Sequence, residues 1–520
     1  MKFNRWTLGL AACGLLSLAS ATQADDSNPA NTNQVAQAAS TNAPPTTESG
    51  TVIASKAKEG FFKRLDEAFR EQLGQPAYSE PTPPAPGTPA PAPTRRGLPA
   101  PFDSPPYPNG EWQIGGTETI GDPNLTPDYP LMEALYQGPY GQALEDTKIK
   151  MYGWVDFSGN LSTSSQSGVN PNNGQSANFP AIYPQRPNRM ELDQAVLYFE
   201  RTPDEFQTDH VDWGFRVSGV YGLDYRYMIS KGLFDRQLLV HNDYYGYDMP
   251  MVYGNLYIPK VFMGMNITVG RIISEADIEA QLAPNNLMST HSLLYSFDPY
   301  TQEGVFATVK LNNQWTVQAG LADGGDVAVW SKDPGVQPTG TVMFQYSSKN
   351  GKFGFYGGAN QFNNANWGYN NLQQYVGTFT YKFTDKIWTT WETWYMYQKN
   401  APTAAMAAAE NGGTAPPVNA SYPVKPGYAP EWATLDYIMY RLGPSTFLTL
   451  RNEVFDDIVG QRTGYNTVYT EHSIGITYWP NKLITFRPEV RFDHSYAEAA
   501  YDNGTRHNQV LASFDVIVHF

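Results

Sequence analysis

The last twelve residues, Gln509 to Phe520, carry the pattern that most restricts how this chain can fold. Apolar side chains occupy every second position from Val510 to Phe520, and Ser513, Asp515 and His519 fall between them. This alternation predicts a β-strand with one apolar face and one mixed face. The chain stops on an aromatic residue of the apolar face instead of continuing into a turn.

The composition of the whole chain indicates a β-barrel that spans a membrane. The chain has 520 residues with 45 Gly, 40 Pro, 34 Tyr and 12 Trp, and its mean hydropathy of −0.45 argues against a helical membrane protein. Aromatic residues reach 14% in this polar chain, as expected for a barrel with alternating lipid-facing and lumen-facing residues and aromatic girdles at both interfaces. The net charge of −15 argues against nucleic acid as a partner and weakly favours attraction of cations.

The first 24 residues have the features of a secretory signal. A charged start precedes a short apolar stretch from Leu8 to Leu18, and Ala24 is the candidate cleavage site. The only cysteine, Cys13, lies inside this segment, so the mature chain is expected to have no disulfide. Residues 10–13 also match a lipoprotein cleavage box, but cleavage there would leave almost no apolar core before the cut.

Two segments of different character follow the signal. Residues 25–55 are rich in Ala, Asn, Gln, Thr and Ser and predict a disordered tether. Residues 56–75 predict one short amphipathic helix that either packs on the barrel or a neighbouring chain, or docks or oligomerises in the periplasm. The apolar residues at helical spacing are Phe61, Phe62, Leu65, Phe69 and Leu73.

The chain then changes composition twice before the strands begin. Residues 76–108 are rich in proline and predict an extended, semi-rigid spacer. Residues 109–147 combine turn residues with scattered Trp, Ile and Leu, which need a surface to pack against. We expect this second segment to fold against or into the periplasmic mouth of a barrel.

Residues 148–520 predict an all-β fold, a transmembrane antiparallel up-and-down β-barrel of about sixteen strands. Tight turns such as Asn312-Asn313, Thr384-Asp385 and Gly443-Pro444 alternate with long connections. Bacterial outer-membrane barrels have short periplasmic turns and long outer loops, so the pattern predicts that both termini are periplasmic.

Charged residues on the inner parity of several predicted strands form the candidate pore lining. In the strand from Leu483 to Asp493, polar and charged residues alternate with apolar ones, and a charge facing lipid near the midplane costs about 2–4 kcal/mol. We therefore expect a hydrated lumen, and a channel is favoured over a barrel filled by ion pairs because about sixteen strands leave an aqueous path. The candidates are Arg216, Arg451, Glu453, Glu471, Arg487, Glu489, Arg491 and Asp493.

Several stretches resemble the OmpL-like β-barrel porins, the second β-barrel porin family. They are Trp112–Asp122, Lys150–Ser164, Asn188–Arg201, Trp213–Arg226, Leu450–Thr463 and Ile484–Ser495. The resemblance covers about residues 110–520 and implies an outer-membrane barrel with porin activity. The last strand also resembles the closing strand of bacterial outer-membrane barrels, whose terminal Phe is read by the barrel-insertion machinery. Phe514 and Phe520 are the candidate assembly signal here.

The long connection from residue 272 to residue 303 is the candidate constriction loop. An inward fold would set its acidic residues against basic residues of the wall, whereas a solvated outer loop with a short helix is an equally good interpretation. The constriction candidates are Arg271, Glu275, Asp277 and Glu279.

Catalysis is not expected. The adjacent pairs His472-Ser473 and His494-Ser495 suggest a hydrolase, but neighbouring residues on a strand point to opposite faces and cannot share a proton. The sequence has no His-Glu-x-x-His or paired-cysteine motif, and Asp323–Asp326 is better explained as a turn than as a calcium site. We therefore expect neither an enzyme nor a cofactor.

Two functions remain open from the sequence. The first is an outer-membrane porin for passive diffusion of small hydrophilic solutes or ions. The alternative is a non-conducting barrel, which either anchors the outer membrane to the cell wall or serves for display at the cell surface. The predicted partners are outer-membrane lipid and the barrel-insertion machinery, with a homotrimer and peptidoglycan or a periplasmic partner of residues 56–108 as further possibilities.

Overall fold

A computed structural model describes most of the chain from residue 128 onward and one earlier helix. The described residues are 59–76, 128–166, 176–273, 277–331, 337–350, 352–368, 371–402 and 425–520. The predicted signal with Ala24, the tether, nearly all of the Pro-rich spacer, residues 109–127 and Glu275 lie outside the described residues.

Sixteen antiparallel strands close into one barrel, as the sequence predicts, and each strand pairs with its sequence neighbours. Closure is completed by β1 and β16, which pair in antiparallel register, for example Trp154 with His519. The strands are β1 Ile149–Ser162, β2 Met190–Arg201, β3 Asp212–Gly222, β4 Gly246–Ile258, β5 Met265–Ile273, β6 Thr301–Lys310, β7 Trp315–Gly325, β8 Thr339–Ser347, β9 Phe353–Phe362, β10 Gln373–Lys382, β11 Ile387–Ala401, β12 Gly427–Gly443, β13 Thr446–Asp457, β14 Thr467–Tyr478, β15 Ile484–Ser495 and β16 Asn508–His519.

The alternation in the sequence fixes which face of each strand points inward. In β16 the odd-numbered residues, from Leu511 to His519, are buried inside the barrel, and the even-numbered apolar residues lie on the outer surface. Phe520 continues this strand, and its backbone N–H and carbonyl bond to the backbone of Gly153 in β1 at 2.9 and 3.1 Å. The outer band carries exposed apolar side chains on most strands, among them Leu197, Val305 and Phe344. Such a band suits contact with lipid.

The two ends of the barrel differ in the length of their connections. At one end, called here the short-turn end, strands are joined by tight turns such as residues 444–445 between β12 and β13. At the other, the long-loop end, the connections include residues 223–245 and 274–300. The barrel begins and ends at the short-turn end, where β1 starts and β16 finishes. Within the described part of the chain, no helix combines the length and apolar character needed to cross a membrane.

Among the described residues, three α-helices precede the barrel: α1 Phe61–Leu73, α2 Pro130–Tyr136 and α3 Gly141–Thr147. Helix α1 packs on α2, where Arg64 Nε donates to the carbonyl oxygen of Ala134 at 3.0 Å. The residues of α1 that become buried are Arg64, Ala68 and Gln72, whereas Phe62 on the predicted apolar face is 82% exposed.

This helical segment meets the short-turn end of the barrel. The backbone N–H of Lys482, between β14 and β15, donates to the carbonyl oxygen of Gln75 just after α1. The ring of Tyr129, just before α2, stacks on the ring of His519 at 4.6 Å between centroids. Met132 of α2 is fully buried. The segment therefore lies at the mouth where the strands begin and end.

Candidate functional site

One side of the barrel interior is lined by charged side chains, which we call the charged wall. None of its members is more than 4% exposed. The charged wall comprises Arg451, Glu453, Glu471, Arg487, Glu489, Arg491, Asp493 and Asp515, on β13 to β16. The sequence predicts that this face is inward and hydrated. In the structure it points inward but is covered by protein.

The cover is the connection between β5 and β6, whose described residues 277–300 we call the inward loop. It folds from the long-loop end into the lumen and includes a short helix, α4 Leu293–Ser296. Arginines of the charged wall bond its backbone: Arg487 Nη1 donates to the carbonyl oxygen of Ala283 at 2.7 Å, and Arg491 Nη1 donates to that of His291 at 2.5 Å. A loop buried in a lumen needs such partners because its backbone has lost water.

Carboxylates of the charged wall accept hydrogen bonds from N–H groups of the same loop backbone. Glu453 accepts hydrogen bonds from the backbone N–H groups of Leu293, at 2.8 Å, and Leu294, at the start of α4. Glu489 accepts from the N–H of Thr290 at 2.9 Å and from its hydroxyl at 2.6 Å. A helix N-terminus favours a negative charge, so Glu453 stabilises α4 as well as the loop.

Arg451 is the centre of the contact between the charged wall and the inward loop. Its guanidinium is fully buried and bonds Glu471 at 2.9 Å, Glu279 at 3.1 Å and Glu489 at 3.2 Å. It also donates from Nη2 to the hydroxyl of Thr290 at 2.8 Å. One cation is therefore shared by two carboxylates of the wall and one of the loop, and removing it would leave buried charges without compensation.

The other predicted constriction residues lie elsewhere. Arg271 pairs with Asp248 of β4 at 3.0 Å and donates to the carbonyl oxygen of Met228 at 2.8 Å. The expected juxtaposition of acidic loop and basic wall is made by Glu279 with Arg451. Asp277 lies instead beside other carboxylates, as described below.

Arg216 belongs to a separate buried pair on the inner face of β2 and β3. Its Nε lies 2.6 Å from Glu200 Oε2, and Tyr152 of β1 donates to the other oxygen of the same carboxylate at 3.0 Å. The guanidinium also lies over the rings of Tyr198 and Tyr253. These contacts place Arg216 inside the barrel and satisfy it without the inward loop.

Amide and hydroxyl side chains on the strands β6 to β10 form a second lining, which we call the amide wall. Gln302 donates to Asn360 Oδ1 at 2.7 Å, Asn360 donates to Gln374 at 3.0 Å, and the Thr341 hydroxyl donates to Asn360 at 3.0 Å. All four side chains are at most 2% exposed. The alternation of Gln, Asn and Thr along these strands is the signal in the sequence that could have revealed this lining.

A narrow cavity lies between the inward loop and strands β15, β16, β1 and β2. Its lining includes four carboxylates, Asp156, Asp193, Asp224 and Asp515, and one arginine, Arg487. Burial raises the pKa of the Asp224 carboxyl well above its usual range, and the neighbouring carboxyl of Asp156 raises it further. Asp156, Asp193 and Asp224 were not among the sequence candidates, although Asp156 lies on the inner parity of β1 with Tyr152 and Trp154.

The paired His and Ser residues do not form a catalytic arrangement on the strands. His472 is exposed on the outer face of β14 and Ser473 is buried on the inner face. His494 contacts Asn508 of β16 at 2.5 Å, whereas the Ser495 hydroxyl donates to the carbonyl oxygen of Glu498. Of the segment predicted as a turn, residues 323–325 lie at the end of β7, and Asp326 accepts from the N–H groups of Tyr300 and Thr301, 26 and 25 positions away.

The barrel matches a known protein family. The family model described as "Putative beta-barrel porin-2, OmpL-like" matches residues 148–520. No curated protein matches the sequence.

Solved structures with a similar fold include outer-membrane channels from other bacteria. The channel DcaP of Acinetobacter baumannii is 12% identical with a TM-score of 0.42, and the match covers 72% of this chain and 97% of that one. An anion-selective porin from Comamonas acidovorans is 8% identical with a TM-score of 0.44, and the match covers 72% and 99%. OmpT of Vibrio cholerae, solved in a trimer form, is 9% identical with a TM-score of 0.40 over 72% and 99%.

Proposed function

Because this chain belongs to the OmpL-like β-barrel porin-2 family of bacterial outer-membrane porins, we propose that it lets small hydrophilic solutes and ions diffuse passively across the outer membrane. The route is the barrel lumen, narrowed by the inward loop. Within this route cations pass more readily than anions.

The acidic cavity beside the inward loop is the observation that carries this proposal. Four carboxylates and one arginine line it, so its net charge is negative when at least two of the carboxylates are ionised. A narrow space with one sign of charge raises the local concentration of the opposite ion. The net charge of the chain, −15, has the same sign.

The proposal includes an orientation for the barrel. The short-turn end faces the periplasm, which places both ends of the chain there and puts α1 and α2 at the periplasmic mouth. Residues 1–24 are removed after Ala24, and residues 25–55 and 76–108 serve as tether and spacer. Recognition of Phe520 by the insertion machinery, assembly into trimers and contact of residues 56–108 with peptidoglycan complete this proposal.

A non-conducting anchor is the second candidate, and a specific observation favours it. The charged side chains that the sequence assigns to a hydrated lumen are almost completely buried. In addition, α1 is bound at the short-turn end, where it could connect the barrel to a structure in the periplasm. The loop and the helix would then be parts of a plug.

Conductance in a planar bilayer separates the two candidates. The refolded full-length protein is compared with a chain that begins at Lys148, and heat-modifiable migration in gels confirms folding of both. The porin proposal predicts steady conductance, a reversal potential in a KCl gradient that indicates cation preference, and a larger conductance after truncation. A folded barrel that conducts in neither form would contradict the porin proposal and support the anchor.

A further inference from the structure

Three carboxylates from distant parts of the sequence meet beneath the inward loop. Asp277 stands near the start of the loop, Asp298 near its end, and Glu392 on the inner face of β11. One carboxylate oxygen of each lies within 4.8 Å of those of the other two. The three residues are 3%, 2% and 0% exposed. The fold therefore excludes water from a site that has three acidic groups.

Two members of this cluster, Asp298 and Glu392, have carboxylate oxygens that no hydrogen-bond donor reaches. Among the described residues this holds for both oxygens of Asp298 and for Oε1 of Glu392. The other oxygen of Glu392 accepts from the backbone N–H of Ile278 at 2.8 Å. By contrast, the buried carboxylates of Glu279 in the loop and Glu489 in the charged wall are bonded by arginine. Buried carboxylates without donors or a cation are costly.

Two states could relieve this cost. In one, protons neutralise the cluster, and burial together with the adjacent Asp277 does raise the pKa of the Asp298 carboxyl well above its usual range. In the other, a metal cation replaces the protons and uses the free oxygens as ligands. Within the described part of the chain, neither Asp298 nor Glu392 pairs with an arginine or lysine, and their oxygens without donors remain open to a cation.

We propose that Asp277, Asp298 and Glu392 bind one Ca²⁺ that fixes the inward loop to β11. Calcium takes six to eight oxygen ligands at about 2.3–2.6 Å, so two ligand oxygens of one ion stand at most about 4.6–5.2 Å apart. The three oxygens, all within 4.8 Å of one another, are compatible with that limit. Magnesium, with ligands at about 2.0–2.1 Å, requires a tighter octahedral arrangement and keeps its own waters.

The site would act where the charged wall does not reach. Arg451, Arg487 and Arg491 bind the middle of the inward loop, from Ala283 to His291. Asp277 and Asp298 lie on either side of that stretch, and a shared ion would hold both to Glu392 on β11. The inference concerns attachment of the loop and does not depend on whether the barrel conducts.

Calcium binding to the full-length protein, refolded in detergent without lipopolysaccharide, tests the proposal. Isothermal titration with CaCl₂ follows removal of divalent ions by EGTA and dialysis, and Asp298→Asn is titrated beside the wild type. The wild type is expected to bind one Ca²⁺ per chain more than the variant, or to bind that ion at least about tenfold more tightly, because affinity falls with the number of charged ligands. Equal stoichiometry and affinity in the two proteins would overturn the proposal.

A matched control separates this site from general effects of removing a buried carboxylate. Asp326→Asn changes another buried acid beside the same end of the loop, but its oxygens accept hydrogen bonds from Tyr300 and Thr301. This control should bind Ca²⁺ as the wild type does. Loss of the ion in both variants to the same extent would count against the proposed ligands.

Thermal unfolding provides a second readout that also works on the wild type alone. Calcium should raise the unfolding temperature of the wild type more than an equal concentration of Mg²⁺ does. In EGTA, Asp298→Asn should unfold at a higher temperature than the wild type, because it removes one of three clustered acids; with Ca²⁺ the order should reverse. A wild-type unfolding temperature that Ca²⁺ leaves unchanged, or an order of the two proteins that it leaves unchanged, would contradict the proposal and favour protonated carboxyls.

Discussion

The charged wall and the amide wall line the same lumen but stabilise it in different ways. On the amide wall, uncharged side chains of β6, β9 and β10 such as Gln302, Asn360 and Gln374 bond one another. On the charged wall, Arg487 and Glu489 bond the backbone of the inward loop that lies against them. The first pattern strengthens the barrel itself, and the second holds a separate segment inside it.

The difference shows why inward charge need not mean a wet lumen. A guanidinium offers donors to carbonyl oxygens and a carboxylate accepts from N–H groups, so a wall with both signs can satisfy a loop that has left water. Amides that already bond one another have less capacity to do so. The loop accordingly lies against the charged side, and the acidic cavity lies between them.

Removing Arg451 should have the largest effect on this arrangement. Arg451→Ala deletes the cation that Glu279, Glu471 and Glu489 share, and loss of one partner of a buried ion pair costs about 3–5 kcal/mol. We expect the inward loop to detach from the charged wall, so that proteases cut within residues 277–300 and single-channel conductance rises.

Arg506→Ala is the matched control for this prediction. Arg506 pairs with Asp502 near the long-loop end, and its side chain is 52% exposed, so its removal should change neither protease sensitivity nor conductance. An Arg451→Ala protein with wild-type conductance and a protected loop would show that the charged wall does not hold the loop.

Acid should weaken the inward loop through His291. Burial lowers the pKa of His291 to about 3, and Arg451 and Arg487 act in the same direction. The ordinary value is 6.5, so the unfolded chain binds a proton before the folded one does. The free energy of unfolding should therefore fall as the pH drops from 6.5 towards 3, by about 1.4 kcal/mol per pH unit at most.

His291→Gln isolates this contribution from those of the many carboxyl groups. The variant keeps a side chain that can donate to the carbonyl oxygen of Ala280, but it has no proton to gain. Urea unfolding at a series of pH values should give a smaller loss of stability between pH 6.5 and pH 4 than the wild type shows. Identical slopes in the two proteins would mean that His291 is not neutral and buried as described.

Carboxylates of the cavity should control ion preference. Asp156→Asn combined with Asp193→Asn removes two of the four carboxylates that face Arg487. Cation preference should fall, so the reversal potential in a KCl gradient should move towards zero or change sign. Unchanged selectivity in a folded, conducting variant would place the ion path elsewhere.

A change on the amide wall should have the smallest effect. Gln374→Ala removes the acceptor of a hydrogen bond from Asn360 and should lower the free energy of unfolding by about 1–3 kcal/mol. Conductance and protease sensitivity of the inward loop should stay as in the wild type. If protease cut the inward loop more readily in this variant, the amide wall would also hold the loop, and the proposed difference between the two walls would be wrong.

The sequence was sufficient for the barrel because its signal is local. In β15 every second residue from Arg487 to Asp493 is charged, and a strand in lipid can place those residues only inward. The family resemblance extends that conclusion to all sixteen strands. The placement of Phe514 and Phe520 on the apolar face of the closing strand was likewise predictable from its alternation.

The partners of those inward residues could not be predicted because they depend on distant backbone. Arg487 bonds the carbonyl oxygen of Ala283, 204 positions away, and any residue type could supply that oxygen. For the same reason the sequence did not predict that Arg271 bonds Asp248 and the carbonyl oxygen of Met228. Glu392 gave no signal in the sequence because its carboxylate partners come from the loop.

The most direct test of the central claim is a disulfide between the inward loop and the charged side of the barrel. The hydroxyl oxygens of Ser289 in the loop and Ser513 in β16 lie 2.9 Å apart, and Cys13 is the only cysteine of the chain. If the loop is seated as described, Ser289→Cys with Ser513→Cys should form a disulfide on mild oxidation of the folded protein in membranes, and the two thiols should then resist maleimide labelling. Two thiols that stay free and react separately under the same conditions would contradict the account.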